Sequence, residues 1–141
     1  MIKNKKARSF VAIMVTVAVV AVFLRFSVAQ LINLNIAQNE SNAQDSLKLI
    51  STAIENYAKD HHGVFPANLS VLDQTDPPYI DKEYIGLSYK KGYNYNCISL
   101  EASGYTCQAE PARCGLSGKK IFTITTTGTL TTTECTEKEK E

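Results

Sequence analysis

The residues best equipped for chemistry are four cysteines, Cys97, Cys107, Cys114 and Cys135, all in the last third of a 141-residue chain. No two of them form a Cys-x-x-Cys pair, so neither a zinc site nor dithiol exchange is expected of them. An even number of cysteines behind an export-like N-terminus reads instead as a disulfide framework in an oxidising compartment. Four cysteines allow three connectivities. Strand parity favours Cys97–Cys107 with Cys114–Cys135, while Cys107–Cys114 with Cys97–Cys135 stays open.

The other candidates carry less. His61 and His62 are adjacent and so face different ways on a helix; beside Asp60 they read as solvated helix-end residues that suit the negative end of the helix dipole. Zinc would need further ligands that the spacing does not offer, and no metal site is assigned. The serines sit in no Gly-x-Ser-x-Gly elbow, and no glycine-rich phosphate loop is present. Tyr79, Tyr84, Tyr89, Tyr93 and Tyr95 interleave with Lys82, Lys90 and Lys91, a pattern that can stack and neutralise single-stranded nucleic acid. At a formal net charge of +1 a half-exposed sheet edge and loop is the favoured reading, and no nucleic-acid partner is expected. With no catalytic residue and no cofactor implied, an enzyme is not expected either.

The elements that must hold these residues begin with a charged start. Lys3, Lys5, Lys6 and Arg8 crowd the first eight residues without an acidic neighbour, and an apolar run from Phe10 to Leu24 follows, broken only by Thr16. Fifteen helical residues cover about 22 Å, short of a hydrocarbon core of roughly 30 Å, so a membrane span must borrow the turns from Phe26 to Ile36 and carry Arg25. The positive-inside rule keeps the basic end in the cytoplasm and sends the rest of the chain outside. Two other readings fit the same run. Ser27-Val28-Ala29 before Gln30 resembles a leader-peptidase site that would release a soluble protein, and an uncleaved signal anchor would leave a membrane tether.

No proline or glycine interrupts the chain from Phe10 to Asp60, which predicts one long helix. Ala43, Leu47, Ile50, Ile54 and Tyr57 recur at spacings of four and three, a stripe that packs on the chain's own core. Glu55 and Lys59 stand one turn apart and are expected to pair. Between the two apolar parts, residues 38–42 (Gln-Asn-Glu-Ser-Asn) are polar and read either as a solvated turn or as a hinge. Gly63 and Pro66 are expected to stop the helix. Leu69 and Leu72 plug the core from the connection that follows, and Asp76-Pro77-Pro78 marks a turn.

Strands are expected at Tyr93–Leu100 and Tyr105–Ala109 around Ala102-Ser103-Gly104, and at Lys120–Thr125 and Thr129–Thr133. A two-residue loop at Thr127-Gly128 would send Leu130 to the wrong face. A three-residue loop, Thr126 to Gly128 with the glycine left-handed, pairs Ile124 with Leu130 and gives Phe122, Ile124 and Leu130 one buried face. Cys97 and Cys107 share parity about a turn near Ala102, and Cys135 falls opposite Lys119. The chain is thus expected to comprise a basic leader (1–9), an apolar membrane and assembly helix (10–36), an exported globular domain (37–135) and a charged tail (136–141).

A long N-terminal helix, half apolar and half amphipathic, before a small antiparallel sheet resembles the layout of type IV pilins and type II secretion pseudopilins. The resemblance is sharpest from Tyr57 through Asp60, Gly63, Phe65-Pro66 and Leu69, and extends to the final hairpin around Lys120–Ile124 and Thr127–Leu130. It implies an α+β fold and a structural subunit, homo- or hetero-oligomeric with other pilin-like chains. It also implies a single-pass bacterial inner-membrane precursor with a periplasmic or extracellular domain, cut by prepilin peptidase between Ser9 and Phe10. Assembly would use Phe10, Met14, Val17, Ala21 and Leu24, with the small Ala12, Ala18 and Ala21 permitting close approach. The chain departs from the family pattern where Ser9 replaces the glycine before the cut and Met14 replaces the glutamate expected five residues in.

Overall fold

The computed structural model describes the backbone of residues 5–85 and 90–136, and the side chains of 9–84 and 90–136. Lys3, Tyr89 and the tail beyond Thr136 lie outside the described residues, as do the side chains of Lys5, Lys6 and Arg8. The class is α+β. Helix α1 runs Lys5–Asp60, 56 residues long. It passes through residues 38–42 without a break, so the hinge alternative is set aside: nothing there opposes helical hydrogen bonding. The chain forms two units, Met1–Asn35 and Ile36–Glu141.

In the second unit, the part of α1 from Ile36 onward buries the expected stripe. Ala43, Leu47, Ile50 and Ile54 are buried, Tyr57 is half-buried, and Ser51, Ala53 and Ala58 widen the contact. They meet Tyr93, Tyr105, Cys107, Ala109, Phe122 and Ile124 from the sheet, with Leu72 and Ile80 closing one side. Each large aliphatic side chain taken out of water here contributes about 1.5–3 kcal/mol.

The helix ends one residue earlier than its glycine suggests. The Gly63 N–H donates to Ala58 O at 2.7 Å, and the left-handed position before it is filled by His62, φ 58°. That is a Schellman-type stop with histidine, one of the side chains that tolerates this conformation, and glycine just after it. The connection then buries Pro66 and Leu72, with Leu69 half-buried. A 3-10 turn, Leu69–Leu72, is capped by Asn68, which accepts from the Val71 N–H at 3.2 Å. A short helix α2 (Lys82–Ile85) precedes the sheet.

Strands β1 (Tyr93–Glu101), β2 (Gly104–Pro111), β3 (Lys120–Thr125) and β4 (Thr129–Glu134) form one antiparallel meander in the order β1-β2-β3-β4. The β3–β4 register pairs Ile124 with Leu130 around the three residues Thr126–Gly128. Thr127 (φ 76°) and Gly128 (φ 74°) are both left-handed. A β-branched residue there costs about 1–2 kcal/mol, which the loop offsets with a helix contact described below.

The β1–β2 hairpin differs from expectation in an instructive way. Its turn is tighter, with Glu101 opposite Gly104, and Leu100 and Ser99 follow opposite Tyr105 and Thr106. Carried on, that register would place Ile98, not Cys97, opposite Cys107. A β-bulge between Cys97 and Ser99 absorbs one residue and brings Cys97 opposite Cys107. Ile98 is left 63% exposed, the extra residue on the bulged strand.

Candidate assembly surface

From Ser9 to Asn35 every side chain is exposed except the half-buried Ile32. Phe10, Met14, Val17 and Leu24 are each about 60% exposed, and so are Ile13 and Phe23 on other faces. The expected face of Phe10, Met14, Val17, Ala21 and Leu24 is therefore one side of a cylinder that, from Phe10 to Leu24, is apolar all round but for Thr16. A helix of this kind is covered by lipid or by protein. Its backbone is satisfied internally, and the two hydroxyls within the apolar stretch bond back one turn: Thr16 Oγ1 donates to Ala12 O at 2.8 Å and Ser27 Oγ to Phe23 O at 2.9 Å. Neither of these two hydroxyls thus opposes entry into an apolar phase. The segment has the length and apolarity of a membrane span and suggests a membrane anchor or signal. Ser9 and Phe10 lie side by side on its exposed start.

Within the second unit, the polar residues of α1 hold loops rather than water. Asn39 Nδ2 donates to Ser117 O at 2.9 Å, and the Lys119 N–H donates to Glu40 Oε1 at 2.9 Å. The Lys120 ammonium lies 4.0 Å from Glu40, and Lys91 Nζ donates to Asn42 Oδ1 at 3.3 Å. In sequence, residues 38–42 read either as a solvated turn or as a hinge. The complementary signal was Glu40 set against Lys119 and Lys120. Gly92, in the turn before β1, is a point of close approach to α1, since a Cβ there would come within 2.7 Å of Asn39 Nδ2.

Glu55 corrects a second expectation. Its partner is not Lys59: it accepts from the Tyr105 hydroxyl at 3.0 Å and from the Thr127 N–H at 2.9 Å. The Tyr105 hydroxyl also lies 2.7 Å from Ser51 Oγ. Because its single proton goes to Glu55, Ser51 is the donor in that bond. Burial pushes the Tyr105 hydroxyl up to about 12, the Glu55 carboxylate adding to the rise while the Ser51 donor opposes it.

The tyrosine–lysine cluster is mostly turned inward or paired. Tyr93 is fully buried and donates to Lys120 O at 2.8 Å; burial raises its pKa strongly. Tyr79 donates to Asp60 Oδ2 at 2.6 Å. Lys90 lies 4.1 Å above the Tyr84 ring and 2.6 Å from Glu83. Tyr95 packs half-buried on the core. His61 stacks on Tyr57 with 3.8 Å between centroids, its Nδ1 2.8 Å from Tyr57 O. Among the described residues no three His, Cys, Asp or Glu side chains converge as metal ligands would.

Two disulfides tie the sheet: Cys97–Cys107 crosses β1 and β2, and Cys114–Cys135 joins the β2–β3 loop to the residue after β4. Such bonds suggest that this domain lies outside the cytoplasm. The architecture is pilin-like: an apolar N-terminal helix, an amphipathic continuation on a four-stranded antiparallel sheet, and disulfides. Set against protein-family models, curated proteins and solved structures, the chain matches none of them.

Proposed function

We propose that this chain is a structural subunit of the type IV pilin or type II secretion pseudopilin kind. It is held in a bacterial inner membrane by one pass and assembles through its N-terminal helix with other pilin-like subunits. One observation carries the reading: the uncovered apolar cylinder of Phe10–Leu34 belongs to the same helix that builds the core of a disulfide-bonded domain. Moving the Phe10–Leu24 part of that cylinder from lipid to a filament core exchanges one apolar surrounding for another, so van der Waals packing between helices must drive it. Prepilin peptidase would cut between Ser9 and Phe10. With Met14 in place of a carboxylate, the new N-terminal amine has no acidic partner at that position, which suits a minor or tip subunit. The proposal includes no catalytic role and no cofactor.

A second reading rests on Ile36 being the first buried residue of α1 among the described residues. Cleavage before Gln30 would leave the whole domain core intact and release a soluble binding module. Sequencing the N-terminus of the chain recovered from its native cells separates these readings. A start at Phe10, together with helix-to-helix crosslinks between subunits, supports assembly. A start at Gln30 rejects it for the soluble module, and an uncut chain without crosslinks rejects it for a membrane tether.

A further inference from the structure

Between Arg8 and Glu40 the chain carries a single charge, Arg25. It is exposed on α1 and makes no hydrogen bond or ion pair among the described residues. The nearby hydroxyls of Thr16 and Ser27 bond to the helix backbone. Glu40, the nearest acid in the sequence, already accepts from Lys119. Five guanidinium N–H donors therefore need an acceptor from outside the chain.

Position says which acceptor. Arg8 and Arg25 are seventeen residues apart, about 25 Å of helix, against a hydrocarbon core of roughly 30 Å. A long basic side chain reaching outward from Arg25 makes up much of the difference. The polar residues agree. Thr16 is the one polar side chain from Phe10 to Leu24, whereas Gln30, Asn33 and Asn35 all follow Arg25. Amides of this kind are costly in hydrocarbon and at ease among headgroups.

We propose that Arg25 binds the headgroup phosphates of the outer leaflet and so fixes where the anchor leaves the hydrocarbon. Residues 9–24 lie in the lipid core, and the apolar turns from Phe26 to Leu34 lie in the headgroup layer and the water beyond it. A planar guanidinium takes a phosphate through two parallel bonds, which an ammonium does not reproduce. The proposal rests on the membrane-anchored reading above.

The test is cysteine accessibility in the full chain in native membranes, with single changes Val20→Cys, Val22→Cys, Val28→Cys, Leu31→Cys and Leu34→Cys. The four native cysteines are all in disulfides and do not compete for a membrane-impermeant maleimide applied from outside. The expected result is labelling at positions 28, 31 and 34 and protection at 20 and 22. Adding Arg25→Leu should let the helix sink and slow labelling of Val28→Cys about tenfold, because hydrocarbon excludes the reagent. Reconstitution in uncharged galactolipid should reproduce that shift with Arg25 intact. Protection of Val28→Cys and Leu31→Cys in the otherwise native chain overturns the proposal. So does an unchanged pattern in Arg25→Leu or in galactolipid. Labelling at Val20→Cys as strong as at Leu34→Cys would remove the membrane anchor itself, and the proposal with it.

Discussion

The Tyr105 hydroxyl donates to the Glu55 carboxylate at 3.0 Å, joining the long helix to a strand fifty residues further along the chain. The same carboxylate oxygen takes the Thr127 N–H, so one helical side chain holds both β2 and the strained β3–β4 loop. Glu55→Ala should cost about 1–3 kcal/mol, the penalty for stranding donors in a poorly hydrated site. Lys59→Ala, one turn along, should stay within about 0.5 kcal/mol. Denaturation midpoints of the detergent-solubilised variants check this, and equal midpoints would dissolve the network.

Tyr105 also sets a pH limit. Its pKa rises from 10.0 in the unfolded chain to about 12 in the fold, so the folded state holds the proton more tightly. The stabilisation is complete below pH 10 and is lost as pH climbs through about 12, because only the unfolded chain ionises readily in that window. Tyr93 is raised as well and adds to the fall. Stability should be level around neutrality and decline in strong alkali. Tyr105→Phe should flatten part of that decline, as read by denaturation across a pH series with an ultraviolet titration of tyrosinate alongside. An unchanged slope would mean that the hydroxyl is solvated.

Gly118 is buried where no side chain fits. A Cβ there would overlap the Tyr93 hydroxyl and come within 2.6 Å of its ring Cζ, displacing it from Lys120 O. Gly118→Ala should destabilise by about 1–3 kcal/mol through overpacking. At Gly63 (φ +86°) a Cβ meets nothing within 4 Å, so Gly63→Ala tests backbone strain alone, about 1 kcal/mol. If both variants unfold at the same denaturant concentration, the Tyr93 packing is misplaced.

The disulfides should not contribute equally. Their sequence separations are 10 and 21, and chain-entropy reasoning gives each about 3 kcal/mol, slightly more for the longer loop. Burial reverses that order. Cys107 is 1% exposed within the core, whereas Cys114 and Cys135 are half-buried. Replacing Cys97 and Cys107 together by alanine loses core packing as well as the crosslink, and should lower the midpoint more than removing Cys114 and Cys135. The opposite ranking would show that loop length dominates.

Deleting Ile98 should be tolerated. It is the extra residue of the bulge, so its loss makes the β1–β2 ladder regular and still leaves Cys97 opposite Cys107. Deleting Asn96 shifts the strand by one and turns Tyr93 and Tyr95 to the other face. Thiol titration and thermal melts should separate the two: no free thiol and a modest change for the first, and a collapsed melting transition for the second.

What was legible in the sequence was periodic. Ala43, Leu47, Ile50 and Ile54 announce a buried helix face because apolar residues spaced by four and three line one side of a 3.6-residue turn. Ile124 and Leu130 fix the last hairpin's register because a one-residue slip would expose one of them. Polar partnerships were not legible, because they depend on distance in space. Glu55 lies one turn from Lys59, and nothing local announces that Tyr105 and Thr127 will be nearer. The polar run at residues 38–42 reads as a solvated turn or a hinge until the loop carrying Ser117 and Lys119 is seen against it. The tyrosines near Lys90 read as a half-exposed edge and loop, whereas Tyr93 is found inside. The parity that related Cys97 to Cys107 assumed a wider turn, and the structure reaches the same pairing through a tighter turn and a bulge.

That bulge makes the first disulfide a gauge of the hairpin's alignment. The tight turn at Ala102-Ser103 would, by itself, zip the strands in a register that places the two sulfurs on opposite faces of the ribbon, out of bonding reach. Only a chain that has looped out Ile98 can be oxidised there. Oxidation therefore acts as proofreading: it locks correctly aligned hairpins and leaves misaligned ones as dithiols, free to unzip and try again.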